Sequence, residues 1–197
     1  QWKKESSGRL VTDYAVFTYG HLSAGGGTIN GPIASLGNMT IGADLVGSAY
    51  SMGDIVVTSS NEEVVDSGQK PEGDILYSKG NMKIEGKEIE IPVYSEGTFT
   101  MTGGSINYMN KYAVFADENI TIGNGTIKGP VGTNSNGADA IRFVGGGGTI
   151  NDYYLRAGAG IGNTGYSWWS PNGVRKPLMG VETFPDFPEL PEPPEVE

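Results

Sequence analysis

The sequence predicts an all-β fold, a right-handed parallel β-helix of roughly eight to nine short coils, and three observations lead there. Residues 14–35, YAVFTYGHLSAGGGTINGPIAS, align without a gap onto residues 112–133, YAVFADENITIGNGTIKGPVGT, the self-similarity expected of stacked coils. Inside that long repeat runs a shorter one. Six segments line up on a turn occupied by Gly20, Gly37, Gly53, Gly80, Gly97 and Glu118, with spacings of 17, 16, 27, 17 and 21 residues. Glycine makes up 32 of 197 residues and follows no three-residue rule, which suits sharp corners with positive φ and excludes collagen. No long stretch carries apolar residues at helical spacing; only residues 1–17 have room for a turn or two of helix.

Each coil reads as short strands meeting at the turn. Four positions before it stand Val16, Ile33, Ala49, Leu76, Val93 and Val114; two positions after it stand Leu22, Met39, Ile55, Met82, Phe99 and Ile120. Four positions after it follow Ala24, Ile41, Val57, Ile84, Met101 and Ile122. Apolar residues two apart place one strand face inward, and a strand this short hides that face only against neighbouring coils. The residues two before the turn, Thr18, Ser35, Ser51, Ser78, Ser95 and Ala116, are small enough for a narrowing interior near a corner.

This pattern divides the chain into a lead-in at 1–13, the β-helix at 14–165, an end-capping segment at 166–184 and an acidic, proline-rich linker or tail at 185–197. Residues 60–73, SNEEVVDSGQKPEG, account for the 27-residue spacing and read as a polar loop leaving one corner. FPDFPELPEPPEVE at the C-terminus favours an extended polyproline conformation and reads as a spacer, with a further domain or a plain tail beyond it. The opening Gln1-Trp2-Lys3-Lys4 does not look like a natural initiation, so the chain reads as a mature or proteolysed piece.

Composition narrows the function classes. A net charge of −10 argues against a nucleic-acid partner, since phosphate binding calls for clustered Lys and Arg. With no cysteine, disulfide scaffolds, thiolate metal sites and a cysteine nucleophile are excluded. His21 is the single histidine, so neither a Ser/His/Asp triad nor a multi-histidine metal site can be assembled, and its repeat position marks a surface corner. No apolar run reaches transmembrane length. The glycine runs 25–27 and 145–148 lack the Lys-Ser/Thr of a phosphate loop and read as corners. No cofactor is implied; calcium has no motif here, although the carboxylates of Glu62, Glu63 and Asp66 leave that ion open.

An enzyme of the polysaccharide lyase or hydrolase type would need convergent acids and bases. Asp139, Arg142, Asp152 and Arg156 are the candidates, and their structural alternative is a cross-coil charge network. What separates the two is whether these four meet in a cleft or lie on different faces.

The pattern with functional content is aromatic. Three positions before the turn stand Phe17, Ala34, Tyr50, Tyr77, Tyr94 and Phe115. Alternation turns that position outward, and coils about 4.8 Å apart would stack the rings as a ladder up one face. Such a ladder is either an open platform for the apolar faces of sugars or a stack that stabilises the strands, covered by residues 1–13 or by the Trp168–Trp169 segment. Trp168 and Trp169, beside Tyr166, read likewise as a cap over the open coil end or as a sugar- or protein-contact patch. A module that only displays a neighbouring domain predicts buried rungs.

Tyr14-Ala15-Val16-Phe17, Gly37-Asn38-Met39 and Gly80-Asn81-Met82 resemble the extracellular regions of bacterial minor type IV pilin-like and pilus-associated surface proteins, over residues 12–133. Within that group the chain is similar to the tapirins, cellulose-binding surface proteins with a β-helix. The resemblance implies an extracellular, cell-surface location, adhesion to insoluble polysaccharide, and pilus components as partners; no binding residue is carried over from it. Exposed coil ends add self-association, including head-to-tail filament growth.

Overall fold

The computed structural model describes residues 3–4, 10–11, 14–58, 73–109, 112–135, 140–151, 155–156, 161–162 and 184–191. These residues contain no helix and build a parallel β-solenoid of about six turns, fewer than the eight to nine expected. At the C-terminal end the last rungs among the described residues, Leu155–Arg156 and Ile161–Gly162, are two residues long. In the lead-in, Lys3–Lys4 pairs antiparallel with Leu10–Val11; the rest of residues 1–13, where a helical turn has room, lies outside the described residues.

Three walls enclose the core. One is an eight-stranded sheet through Val16–Thr18, Ile33–Ser35, Ala49–Ser51, Leu76–Ser78, Val93–Ser95, Val114–Ala116, Val131–Thr133 and Leu155–Arg156. Its register is the one the repeat dictates: Leu76 pairs with Ala49 and Val93, Tyr77 with Tyr50 and Tyr94, Ser78 with Ser51 and Ser95. The second wall stacks Leu22–Ala24, Met39–Ile41, Ile55–Val57, Met82–Ile84 and Phe99–Met101, then the first halves of Ile120–Lys128 and Ile141–Asn151. Those two long strands run round a corner into the third wall, where they continue the stack of Glu88–Ile89 and Ser105–Asn107. Inside, Ile33, Leu76, Val93, Val114, Met39, Ile55, Met82 and Phe99 are fully buried or nearly so. This is the apolar face that no single strand could hide alone.

Among the described residues the third wall is in two parts. Thr28–Asn30 pairs with Asp44–Val46, but these two strands join no other strand of that wall among the described residues. The coil that should continue it is the one with residues 60–73, of which only Gly73 is described. Lys87 spans the break: its ammonium, fully buried, donates to the Ala43 carbonyl at 3.1 Å and to Asp44 at 3.0 Å. A buried ammonium is tolerated only with partners of this kind.

Side chains at the turn tie coil to coil in two columns. In the interior, Ser35, Ser51, Ser78 and Ser95 donate to the carbonyls of Gly20, Gly37, Gly53 and Gly80 in the preceding coil, at 2.6–2.9 Å. Thr133 does the same to Glu118. Outside, the Asn38 amide oxygen accepts from the Asp54 N–H, Asp54 from Asn81, and Asn81 from Thr98. Small size was the property legible at the serine positions; their hydroxyls are what the fold uses.

The turn glycines are required for a reason other than positive φ. Gly37 and Gly97 have ordinary φ, but a Cβ there would lie 2.8 Å from the Gly20 carbonyl carbon and 2.6 Å from the Asn81 side-chain oxygen. Positive φ is found at other corners: before the first wall at Gly31, Gly47 and Gly129, with φ of 114°, 146° and 141°, and between the second wall and the third at Gly27, Gly104, Gly125 and Gly145, with φ of 76°, 82°, 100° and 86°.

Candidate functional site

The five rings predicted to form a ladder do so. Phe17, Tyr50, Tyr77, Tyr94 and Phe115 occupy the central position of successive strands of the first wall, broken only by Ala34. Alternation sends Leu76 and Ser78 into the interior and Tyr77 out of it, as expected. Tyr77 and Tyr94 stack at 6.2 Å between centroids with an interplanar angle of 27°.

Outward is nevertheless not exposed. Tyr77, Tyr94 and Phe115 are only 2 %, 4 % and 0 % accessible, while Phe17 and Tyr50 are half-buried. The cover is the proline-rich segment that the sequence reads as a spacer. Phe184 meets Phe115 edge-on at 5.2 Å and lies 6.2 Å from Tyr94 and 6.0 Å from Tyr77. Phe187 meets Tyr77 edge-on at 5.0 Å and Tyr50 at 5.9 Å. Lys79 places its ammonium 5.0 Å from the Phe187 centroid, a cation–π contact. Tyr77, Tyr94, Phe115 and Tyr112 thus form a second apolar cluster outside the lumen, with Tyr50, Phe184 and Phe187 packed against it.

The ladder also has a shaped end. Gly132 occupies the next rung after Phe115, and a Cβ there would lie 3.0 Å from the Phe115 ring, so the rings of Phe115 and Tyr112 rest on bare backbone. The cluster also encloses polar groups. The Tyr77 hydroxyl donates to Glu96 at 2.8 Å. Burial, that hydrogen bond, and the negative charges of Glu96 and Asp186 raise its pKa far above the ordinary tyrosine value, in that order of size. Asp186 belongs to the covering segment, so its charge reaches a ring of the wall.

Of the other candidates, Arg142, Arg156 and His21 are among the described residues. Arg142 lies exposed on the second wall, whereas Arg156 is in a strand of the first, and no single wall holds both. Asp139 and Asp152 lie outside the described residues, as do Tyr166, Trp168, Trp169, Glu62, Glu63 and Asp66. His21 is exposed at its corner. Among the described residues no three of His, Cys, Asp and Glu gather as metal ligands. Phe184 and Phe187 are the site residues that sequence reasoning missed. A signal for them existed: Phe184-Pro185, Phe187-Pro188 and Leu190-Pro191 recur every three residues, the period of a polyproline helix.

No family model, curated protein or solved structure matches this chain.

Proposed function

We propose that the chain is a non-catalytic β-solenoid scaffold of a bacterial cell surface, serving adhesion or filament assembly, whose aromatic wall holds its own proline-rich segment instead of a substrate. The observation that carries this reading is the burial of Tyr77, Tyr94 and Phe115 beneath Phe184 and Phe187. A display module predicts covered rungs; a continuous sugar platform requires open ones. The separation of Arg142 and Arg156 onto different walls weighs against a lyase or hydrolase. The extracellular setting rests on the likeness of Tyr14–Phe17 and of the Gly-Asn-Met turns to pilus-associated β-helices.

A second reading, direct polysaccharide contact, has one observation in its favour. Tyr19 is 41 % exposed and stands edge-on to Phe17 at 5.0 Å, at the first rungs of the stack. Retention on crystalline cellulose and other insoluble glycans separates the two. The scaffold reading expects the parent chain to stay in the supernatant. Retention of the parent, lost in a folded Phe17→Ala/Tyr19→Ala variant, would replace it with direct polysaccharide contact.

A further inference from the structure

The covering segment and the wall have matching periods. A polyproline helix advances about 9.3 Å per three-residue turn, and two rungs of a parallel stack span about 9.6 Å. Residues three apart on such a segment therefore meet the ladder in the same way at every step. The segment obeys this rule: Phe184, Phe187 and Leu190 are partly buried, as are Pro185 and Pro188, Pro191 is fully buried, and Asp186 and Glu189 point to solvent. Phe184 spans the rungs of Tyr77, Tyr94 and Phe115, and Phe187 those of Tyr50 and Tyr77, so the segment runs back towards the first coils.

The attachment is through side chains. Residues 184–191 belong to no strand, and among the described residues no backbone hydrogen bond joins them to the wall. What the wall recognises is ring, proline and spacing, chemistry that a separate peptide of the same kind carries in full. Nor does chain length tie the segment to its own wall. The 21 residues between Gly162 and Phe184 extend to at most about 70 Å, more than twice the roughly 30 Å that six rungs cover.

We propose that the aromatic wall is a receptor channel for Phe-Pro-acid triplets, and that its occupant can be residues 184–191 of a second copy of this chain. Exchange of the segment links copies without any new interface, because the contacts made in trans are those already made in cis. At low concentration the chain's own segment wins through its high effective concentration; raising the concentration shifts occupancy towards exchange. The inference rests on the reading of the wall as a seat for its own segment, and goes beyond it in making that seat shareable.

The test uses two full-length variants and a labelled FPDFPELP peptide. Phe184→Ala/Phe187→Ala leaves the wall intact and disarms the segment. Tyr77→Ala/Tyr94→Ala leaves the segment intact and removes rings that lie outside the solenoid lumen. Circular dichroism and melting certify that each is folded; Phe187→Ala alone stands in for the first should the double variant not fold, and Tyr94→Ala alone for the second. Peptide anisotropy is expected to report binding to the disarmed variant at least tenfold tighter than to the parent, and none to the wall variant. Mixing the two variants at equal concentration is expected to give a one-to-one dimer by light scattering, with each alone monomeric. Peptide binding without a dimer in the mixture would overturn exchange between copies while leaving the wall as the seat of the segment. Absence of peptide binding to a folded, disarmed variant would overturn both.

Discussion

The interior serine column has one gap, and filling it should stabilise the protein. Ser35, Ser51, Ser78, Ser95 and Thr133 each bond a carbonyl of the preceding turn, yet the rung between Ser95 and Thr133 carries Ala116, fully buried. By the geometry of its neighbours, a hydroxyl at 116 would donate to the Gly97 carbonyl and accept from the Glu118 N–H. Those two backbone groups already share a bond at 3.2 Å. The flanking rungs accommodate hydroxyls, so no cavity has to be opened. A net gain of about 1 kcal/mol is expected for Ala116→Ser, a rise in melting temperature of about 2–4 °C for a chain of this size. The reverse substitution calibrates it. Ser78 donates to the Gly53 carbonyl at 2.7 Å and accepts from the Gly80 N–H at 3.2 Å. Gly80 N–H also reaches the Gly53 carbonyl at 3.2 Å, so Ser78→Ala leaves neither group wholly unpaired and should cost about 1–2 kcal/mol. Thermal melts of both variants and the parent by circular dichroism are the assay. If Ala116→Ser melts at or below the parent while Ser78→Ala costs under about 0.5 kcal/mol, the column contributes only shape and the reasoning fails.

Three further outcomes follow from the same geometry. Tyr77 should ionise well above the ordinary tyrosine value in a phenolate absorbance titration, assigned by difference against Tyr77→Phe, because burial and Glu96 hold it neutral; Asp186→Asn should bring it down, and Phe184→Ala/Phe187→Ala further still. The folded state here favours the neutral phenol, so its stabilising contribution is complete below the ordinary pKa near 10 and is lost as pH rises above it towards the raised value; an unchanged titration in Asp186→Asn would mean the segment is not seated in solution. Asp44→Ala strands the buried Lys87 ammonium and should cost about 3–5 kcal/mol in urea unfolding, whereas Asp44→Ala/Lys87→Met should recover most of it; a cost under about 1 kcal/mol would mean the ammonium finds water. Gly97→Ala drives a Cβ to 2.6 Å from the Asn81 oxygen and 3.0 Å from the Gly80 carbonyl carbon, and should lower the melting temperature by several degrees, about 2 kcal/mol or more, with Asn81→Ala relieving only the side-chain part.

Most of the fold was legible in the sequence, because in a solenoid each coil sees only its neighbours and a local pattern suffices to fix register. The alignment that puts Leu76, Tyr77 and Ser78 over Val93, Tyr94 and Ser95 is the pairing observed. Alternation also settled that the five rings point away from the lumen. It said nothing of what lies over them, since the period that mattered, three, belongs to a segment 69 residues beyond Phe115 and meets the wall only in space. The same limit applies to Lys87 and Asp44, 43 residues apart: neither has a local signature, and they meet only once the coils are stacked. Local repetition thus determined the strands, the register and the inward face. Contacts between parts of unlike period, made by Phe184, Phe187 and Lys87, were decided by the tertiary structure alone, because a repeat encodes what stacks on itself and not what comes to rest upon the stack.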